Sequence, residues 1–394
     1  MGAKDIIRAA LKAPAWLYEL GVRTRIVAYD TQYLKSRKLD SAVVSVGNLT
    51  MGGTGKTPLV EYIARYLSEE GYSIAILTRG YGRGSRGQRV LNDPSRPVAA
   101  TEAGQSRSDQ ESPNKGGADS PRGLSNSSDS DSAPQRILSG PNSYREYGDE
   151  PVMLARALPG VPVIINSNRV QAALWAEQHL HPDVIILDDG YQHLALARDL
   201  NILVLDATNP FGGSRMVPFG TLREPLFALK RADAVIISRA HRPFDQGQTF
   251  AIIKYFCGDR VPVMYVYSSI VRLRHLSTGM TYDGDQFVGW NASIMCAIGN
   301  PRAFSDDLLQ IGINIASETF YRDHHPYTQD ELDRVIGEAE RAGADMIVTT
   351  EKDAVRLEGL TCGQIPVYAA ELELQSEDEV RLKSLLLRSL LVRR

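Results

Sequence analysis

Short apolar runs alternate with amphipathic segments along most of the chain. The runs at 41–46, 73–77 and 183–187 are rich in β-branched residues and are typical of strands buried on both faces of a parallel sheet. Segment 58–67 places its apolar residues on one face and predicts a helix directly after the first run. The alternation therefore predicts an α/β fold, with a mostly parallel sheet and helices on both faces.

A chain of 394 residues is too long for one ordinary core, so two domains are expected. We assign 41–260 to the first domain and 261–394 to a smaller α/β domain that closes over the active site. A strand at 261–267 is expected to begin the crossing between them. The second domain is expected to have strands near 294–298 and 346–350 and helices near 302–311 and 329–342.

Residues 104–135 interrupt this pattern. The stretch has nine serines, no aromatic residue and three scattered apolar residues. Such a composition cannot bury enough surface to offset the entropy of ordering. We therefore predict a disordered insertion within the first domain, because the α/β pattern resumes after it.

A glycine-rich loop joins the first predicted strand to the first predicted helix. Its glycines allow backbone N–H groups to approach phosphate oxygens, and the following helix N-terminus favours negative charge. Lys56 can bridge the β- and γ-phosphates, and the Thr57 hydroxyl can bind Mg²⁺. The usual phosphate-loop pattern has glycine where this chain has Thr50. The predicted nucleotide-binding residues are Thr50, Met51, Gly52, Gly53, Thr54, Gly55, Lys56 and Thr57.

The loop after the second predicted strand is basic and rich in glycine. Loops at the carboxyl ends of parallel strands face the ligand in open α/β sheets. We therefore expect Arg79, Tyr81 and Arg83 to bind substrate, although a simple surface turn would have the same composition.

Asp149 and Glu150 stand just ahead of Pro151, a residue suited to the first turn of a helix. In one interpretation Asp149 caps that helix. In the other, its carboxylate points into the phosphate site, and a cation or base nearby offsets the repulsion between the two acids.

A predicted strand ends in Asp188 and Asp189, as in the Walker B arrangement, where a carboxylate orients Mg²⁺. Asp-Gly is also common in ordinary strand-terminal turns. Gly190 permits a sharp turn that would bring Gln192 and His193 toward the site.

A further predicted strand ends at Asp206 and leads into a long loop with Arg215 and Arg223. These arginines could bind an anionic acceptor. In the alternative interpretation, Arg223 pairs with Glu224 or with other neighbours.

The segment 320–327 contains Asp-His-His, which concentrates acid–base capacity in a loop. A capping box of Thr328 and Glu331 would explain the helix that follows. It would not explain the paired histidines, His324 and His325.

Composition limits the function classes. With 44 basic against 47 acidic side chains, the net charge is -3, so no chain-wide field for nucleic acid exists. Nothing in the sequence points to an obligate protein partner. No run of 18 apolar residues occurs, so no transmembrane span is expected. Three separated cysteines favour a reduced, cytosolic setting.

The first 40 residues are basic, with eight Lys and Arg against four acids. Lys4, Arg8 and Lys12 fall on one helical face, near Trp16 and Leu17. A basic amphipathic helix suits an anionic membrane surface. The alternative is a helix packed on the protein's own core.

Eight motifs appear in a specific order over nearly the whole chain, apart from 104–135. They are SVGNLTMGGTGKTP, LTRGYGRG, YGDEP, LDDGYQH, PFGTLREP, AIGNP, FYRDHHPYT and VTTEKDAVRL. In this order they resemble the tetraacyldisaccharide 4'-kinases, the lipid A 4'-kinases of Gram-negative bacteria. That family also lacks the first glycine of the phosphate loop.

The resemblance implies a P-loop kinase that uses ATP and Mg²⁺. It implies transfer of the γ-phosphate to the 4'-hydroxyl of a tetraacyldisaccharide 1-phosphate, the lipid A precursor, to form lipid IVA. It also implies peripheral, monotopic attachment to the cytoplasmic face of the inner membrane, and it favours the membrane interpretation of 1–40.

The resemblance also assigns roles to individual residues. Asp149 would be the catalytic base, paired with His324 as an imidazolium, and His325 is the rival for that position. Lys56 would neutralise charge on the transferred phosphoryl group. The implied Mg²⁺ ligands are Thr57, Asp188, Asp189 and Glu150, and the residues expected to bind substrate are Arg79, Tyr81, Arg83, Gln192, His193, Arg223 and Glu224.

Two other classes fit the phosphate loop by itself. One is a soluble P-loop enzyme with a small acceptor. The other is a P-loop switch protein whose nucleotide state controls membrane docking. Activity on a water-soluble acceptor would favour the first, and slow hydrolysis unaffected by lipid would favour the second.

Overall fold

A computed structural model describes residues 3–80, 83–85, 87–93 and 143–391. In its first helix, side chains are described from residue 13 onward. The predicted insertion 104–135 lies outside the described residues. So do Tyr81 and the side chains of Lys4, Arg8 and Lys12.

Two sheets organise the described part of the chain. The first has the order β3-β4-β2-β5-β1-β6-β7-β8, and every neighbouring pair is parallel except β3 with β4. Its strands are β1 (Ala42–Gly47), β2 (Ile74–Thr78), β3 (Arg89–Leu91), β4 (Val163–Ile165), β5 (Val184–Asp188), β6 (Leu200–Asp206), β7 (Ala234–Ser238) and β8 (Val263–Tyr265). The predicted mostly parallel α/β sheet is confirmed.

The second sheet has the order β10-β9-β14-β13-β11-β12 within the described residues. The three pairings among β11, β12, β13 and β14 are parallel, and β9 runs antiparallel to both of its neighbours. Its strands are β9 (Tyr267–His275), β10 (Thr281–Asp283), β11 (Asn291–Cys296), β12 (Asn314–Phe320), β13 (Met346–Thr350) and β14 (Val367–Gln375).

Helices cover both faces of the first sheet. Every residue of β1, β2 and β5 is buried, which is why these strands are mostly apolar rather than alternating between apolar and polar residues. The α-helices of the described chain are α1 (Ala3–Asp30), α2 (Lys56–Glu69), α3 (Ser143–Tyr147), α4 (Asp149–Ala157), α5 (Arg169–His179), α6 (Gln246–Cys257), α7 (Pro301–Gln310), α8 (Gln329–Arg341), α9 (Glu351–Leu357) and α10 (Glu379–Leu391). Short 3₁₀ turns lie at Gly212–Ser214, Leu226–Arg231 and Gly284–Phe287.

The two faces of the first sheet have separate cores. Helices α2, α4 and α10 pack on one face. On the other, α5 packs near β1 and β2, while α6 and the second half of α1 pack near β6 and β7. Because α2 and α4 share a face, the phosphate loop and Asp149 begin neighbouring helices.

The chain crosses between the sheets twice, side by side. The expected strand at 261–267 is divided, because β8 belongs to the first sheet and β9 to the second. The return crossing follows β14, and α10 then packs on the first sheet's core. Asp378 accepts a hydrogen bond from the Tyr265 backbone N–H at 3.1 Å, and the Ser376 hydroxyl donates to the Tyr265 carbonyl at 2.7 Å. The domain division between 260 and 261 stays a prediction.

Most predicted elements of the second sheet lie within a few residues of their expected positions. The helix predicted at 329–342 is α8, and its capping box of Thr328 and Glu331 is present. The helix predicted at 58–67 is longer, because α2 already begins at Lys56. Among the described helices, none has the length and apolar character needed to cross a bilayer.

Leu386 tests whether α10 contributes to the core of the first sheet. Its side chain is completely buried against that core. We expect Leu386→Ala to lower the free energy of unfolding by about 2–4 kcal/mol, through lost burial and a residual cavity. Leu391→Ala is the control on the same helix, since Leu391 is exposed, and it should change stability by less than about 0.5 kcal/mol. Equal effects of the two changes in chemical denaturation would contradict this packing.

Candidate active site

The phosphate loop connects β1 to α2 at the carboxyl edge of the first sheet. Gly55 has a φ of 75° immediately before the helix begins, a conformation that residues other than glycine rarely adopt. The Lys56 Nζ lies 3.1 Å from Asn48 Oδ1 and 3.7 Å from Asp189 Oδ1. The loop therefore holds a positively charged side chain directly at the helix N-terminus.

The structure accounts for threonine at position 50. Thr50 forms an isolated antiparallel bridge with Leu222, and the Met51 N–H donates to the Thr221 carbonyl at 2.7 Å. A residue that takes part in strand-like pairing has no need of glycine's conformational freedom. Met51 itself is exposed.

The other side of the phosphate loop is held by Ser238, the last residue of β7, and by Arg239, which follows it. The Ser238 hydroxyl donates to the Thr54 carbonyl at 2.8 Å. Arg239 donates to the Gly53 carbonyl at 3.1 Å and also pairs with Asp206, the acid at the end of β6. The loop is thus fixed from two neighbouring strands.

Asp188 ends β5 and is only 2% exposed. It accepts a hydrogen bond from the Thr78 hydroxyl at 3.2 Å. Burial, followed by the charges of Glu150 and Asp189, raises the pKa of Asp188 to about 7. A carboxylate in this setting gains from a nearby cation.

Asp189 has a different environment. Arg223 donates to both of its carboxylate oxygens, at 2.7 and 2.8 Å. Although burial by itself would raise the pKa of Asp189, Lys56 and Arg223 hold it well below its usual range. Its backbone has a φ of 51°, which is uncommon outside glycine and is found where surrounding structure enforces it.

These carboxylates fit a divalent cation such as Mg²⁺. Oxygen donors are what Mg²⁺ prefers. The fit rests on Asp188, which is buried with Glu150 and Asp189 nearby and has a raised pKa. The charge of Asp189 is already compensated by Arg223 and Lys56 without a metal ion. No group of three acidic, histidine or cysteine side chains already arranged around a metal position occurs in the described part of the chain.

The residues predicted to bind substrate have unequal environments. Arg79 is exposed at the end of β2. Arg83 donates to the Gly87 carbonyl at 2.8 Å, and Gln192 donates to the Asn48 carbonyl at 2.7 Å. The side chains of Arg83 and Gln192 therefore stabilise loops by hydrogen bonds to backbone carbonyls.

His193 and Glu224 lie deeper in the protein. Burial, with the charges of Arg169 and Arg198, lowers the pKa of His193 to about 4, so the ring is neutral. Glu224 is buried and pairs with Arg231 rather than with Arg223. The alternative pairing within the Arg223–Glu224 dipeptide is thus absent among the described contacts.

Asp149 begins α4 and is 5% exposed. Its Oδ2 lies 2.8 Å from His324 Nδ1, although 174 residues separate the two in sequence. Its Oδ1 accepts the Glu150 N–H at 2.9 Å. Burial alone would raise the pKa of Asp149, but His324, Lys352 and Arg356 together lower it to about 2.

The two neighbouring histidines have separate partners. His325 Nε2 lies 3.0 Å from both carboxylate oxygens of Glu331, and its ring stacks on Tyr321. His325 thereby joins the capping box at the start of α8. His324 has a φ of 63° and turns toward Asp149 instead. The geometry thus distinguishes the two rings, which the sequence left as rivals.

Four residues of the site had no place in the sequence interpretation: Asn48, Arg169, Lys352 and Arg356. Asn48 is buried and contacts the Lys56, Gln192 and Arg223 side chains. Burial lowers the pKa of Arg169, and the nearby charges of Asp189 and Asp188 oppose that shift. Lys352 and Arg356 belong to the motif VTTEKDAVRL, which contributes to the family resemblance but predicts no role for either side chain.

A cavity of about 350 Å³ lies between α1 and the loop that carries Arg223. Trp16 and Arg23 line it from α1, and Arg215 and Phe219 line it from the loop. Trp16 and its neighbours Leu17 and Leu20 are exposed, with Trp16 at 63%.

Farther along α1, Ile26 is buried in the core of the first sheet. This end of α1 packs on the protein's own core, as one of the two sequence interpretations expects. The exposed Trp16, Leu17 and Leu20 precede the packed part, and membrane attachment stays a prediction.

Comparison with known proteins identifies a family whose model matches most of this chain. The family model described as "Tetraacyldisaccharide-1-P 4'-kinase" matches residues 7–106 and 122–391. The unmatched residues between these ranges fall inside the predicted insertion. A crystal structure of LpxK from Aquifex aeolicus in complex with ATP is 27% identical, covers 98% of this chain and 99% of its own, and superposes with a TM-score of 0.67.

Two curated relatives are similar over nearly the whole chain. The tetraacyldisaccharide 4'-kinase of Geobacter sulfurreducens is 35% identical and is matched over 98% of this chain and 94% of its own length. The enzyme of the same name from Pelobacter propionicus is 35% identical, over 91% of this chain and 86% of its own. With the phosphate loop and the carboxylates at one sheet edge, these matches show that the chain belongs to the tetraacyldisaccharide 4'-kinase family, whose members are ATP-dependent kinases.

Proposed function

We propose that this protein transfers the γ-phosphate of ATP to the 4'-hydroxyl of a tetraacyldisaccharide 1-phosphate and so forms lipid IVA. The observation that carries the proposal is the contact between Asp149 and His324 beside a phosphate loop. A buried carboxylate held by a histidine is suited to receive a hydroxyl proton. The names of the matched relatives support the lipid acceptor.

In this mechanism the acceptor oxygen forms a bond to the γ-phosphorus. The bond from that phosphorus to the β,γ-bridging oxygen breaks, and ADP leaves with that electron pair. The hydroxyl proton passes to Asp149. Because the pKa of Asp149 is about 2, its carboxylate is ionised at neutral pH, although it is a weak base. That suits phosphoryl transfer, where positioning and charge stabilisation supply most of the rate enhancement.

Lys56 is the residue placed to stabilise negative charge on the transferred group. Asp188 and Thr57, with Glu150 close by, would hold Mg²⁺, and Asp189 would act on it through water. When bound, the ion would offset negative charge on the phosphates. The positive charge of the ion would also compensate the buried carboxylate of Asp188.

Acceptor binding is proposed for the loops around this edge of the sheet. Arg79 is exposed at the rim, whereas Arg223 is held by Asp189 near Lys56. The inner wall of the acceptor pocket would be formed by Arg83, Gln192, His193 and Glu224. Tyr81 keeps its predicted role as a contact to substrate.

We further propose that the protein attaches peripherally to the cytoplasmic face of the inner membrane through α1. The exposed Trp16, Leu17 and Leu20 supply an apolar surface next to the cavity beside the Arg223 loop. Acyl chains of the acceptor would follow this surface while the sugar reaches the phosphate loop. The second domain, 261–394, would close over the site when both substrates are bound.

The decisive experiment is phosphate transfer from labelled ATP to a tetraacylated disaccharide 1-phosphate in mixed micelles. We expect transfer by the unmodified protein and a loss of about 10²-fold or more in turnover for Lys56→Ala, on the scale of one strong electrostatic contact. Lys254→Ala is the control, because Lys254 is an exposed lysine on α6 that pairs only with surface Asp259 among the described residues. Absence of transfer by the folded, unmodified protein would overturn the proposed function.

The catalytic pair predicts non-additive losses. Asp149→Asn keeps the shape of the side chain but cannot accept the proton, so turnover should fall by about 10²- to 10⁴-fold. His324→Ala should fall less, and the double variant should be little worse than Asp149→Asn, because the two residues act as one unit. His325→Ala is the matched control and should be mild. Fully multiplicative losses would show that Asp149 and His324 act independently.

Charge reversal tests the membrane proposal. Changing Lys4, Arg8 and Lys12 to Glu should move the protein from the membrane to the supernatant in sedimentation with anionic vesicles. Each basic side chain near such a surface contributes about 1 kcal/mol, so three reversals have a large effect. High salt should weaken binding without abolishing it.

The matched control reverses Lys35, Arg37 and Lys38, which changes the net charge equally but lies beyond α1. It should retain vesicle binding. If both triple variants stay bound, or both dissociate, the anchor is not the basic face of α1.

A further inference from the structure

Helix α9, which follows a strand of the second sheet, packs against α4 and sends two cations toward Asp149. Lys352 Nζ lies 3.2 Å from His324 Nε2 and 4.0 Å from Asp149 Oδ2. Arg356 Nη2 lies 3.1 Å from the same oxygen. The pair of Asp149 and His324 is therefore part of a larger cluster.

Lys352 is surrounded by groups that keep it positively charged. Its Nζ also lies 3.3 Å from Asp323 Oδ1 and 3.6 Å from Glu150 Oε1. The three carboxylates of Asp149, Glu150 and Asp323 lie close enough to compensate the buried ammonium group. An ammonium group has three donors and no acceptor.

The contact with Lys352 restricts the state of the histidine. Because the Lys352 Nζ can only donate, a hydrogen bond at 3.2 Å requires Nε2 of His324 to accept it and to carry no proton. In that arrangement Nδ1 of the same ring carries the proton and donates it to Asp149, and the ring is neutral.

Arg356 fixes the carboxylate itself. Its side chain is almost completely buried and also contacts Asp353, as well as the carbonyls of Ala297 and His325. Oδ2 of Asp149 thus faces Arg356 and His324, whereas Oδ1 accepts only the Glu150 N–H among the described contacts. Oδ1 is the oxygen with a lone pair left for a hydroxyl proton.

We propose that Lys352 is a positioning residue for phosphoryl transfer, which holds His324 as the neutral tautomer protonated at Nδ1 and so directs Oδ1 of Asp149 to the acceptor hydroxyl. The catalytic part of this inference rests on the proposed function. The tautomer part rests on the contacts of Lys352, His324 and Asp149 alone.

This arrangement differs from the imidazolium expected from the sequence. The hydrogen bond that His324 donates to Asp149 raises the pKa of His324, and burial and the Lys352 charge oppose that rise. An imidazolium would set an N–H donor against an ammonium group at 3.2 Å. The conflict is absent when the positive charge resides on Lys352 and the His324 ring is neutral.

Nitrogen NMR of the full chain labelled at histidine reads the tautomer directly. The His324 signals are assigned by their loss in His324→Gln. In the unmodified protein at neutral pH we expect a neutral ring protonated at Nδ1. In Lys352→Met, Nε2 loses its donor, so we expect a mixture of tautomers or an imidazolium, and Lys352→Arg should keep the original state. An imidazolium or an Nε2–H ring in the unmodified protein would overturn the proposal.

Kinetics test the catalytic part. Lys352→Met should lower kcat for phosphate transfer by about 10²-fold, the scale of a small misplacement of a reacting group, with the KM for ATP within about 2-fold of the original. Lys352→Arg should recover part of the loss. Lys383→Met, on α10 and paired with Glu379, is the control and should keep full activity. Unchanged kcat in a folded Lys352→Met protein would reject the role of Lys352.

The two readouts separate this proposal from the proposed function. If the unmodified protein transfers no phosphate to the lipid, the function fails, and the tautomer is still decided by NMR. If transfer occurs and Lys352→Met has the original spectrum and kcat, only the role of Lys352 fails.

Discussion

A buried carboxylate cannot keep its charge without compensation, and Asp149 meets this constraint across two sheets. The residue belongs to α4, which packs on the first sheet, but the groups that neutralise it come with the second sheet. His324 follows β12, and Lys352 and Arg356 lie on α9. The second sheet therefore supplies the groups that compensate a carboxylate belonging to the first.

The nucleotide side of the site has its own compensated carboxylate. Asp189 is bonded by Arg223 and lies near Lys56, and both of these cations also contact Asn48. The loop before Arg223 is joined to the phosphate loop through the pairing of Thr50 with Leu222. A change in the position of Lys56 would therefore affect the surroundings of the loop that carries Arg223. The phosphate loop and the Arg223 loop share one network of hydrogen bonds.

The sequence was sufficient for features that are local in the chain. The parallel strands, the phosphate loop and the capping box at Thr328 each follow from spacing within about a dozen residues, and the structure has all three. The family motifs also led to the contact between Asp149 and His324. Lys352 was missed because its significance depends on the packing of α9 against α4, to which no periodicity points. The same holds for Asn48, which looks like an ordinary loop residue until the folded chain surrounds it with Lys56 and Gln192.

The paired crossings between the sheets determine how the two halves of the molecule are connected. The chain leaves the first sheet after Tyr265 and returns after Gln375, and the two passages are joined to each other by Ser376 and Asp378. A single tether would permit rotation in any direction. A ribbon of two hydrogen-bonded segments bends across its plane but resists twisting and stretching, so any movement of one half against the other would follow one arc. A protease cut in the second passage would leave both sheets on one covalent chain, whereas a cut in the first would leave them held together only by non-covalent packing, including that of α10 on the core of the first sheet.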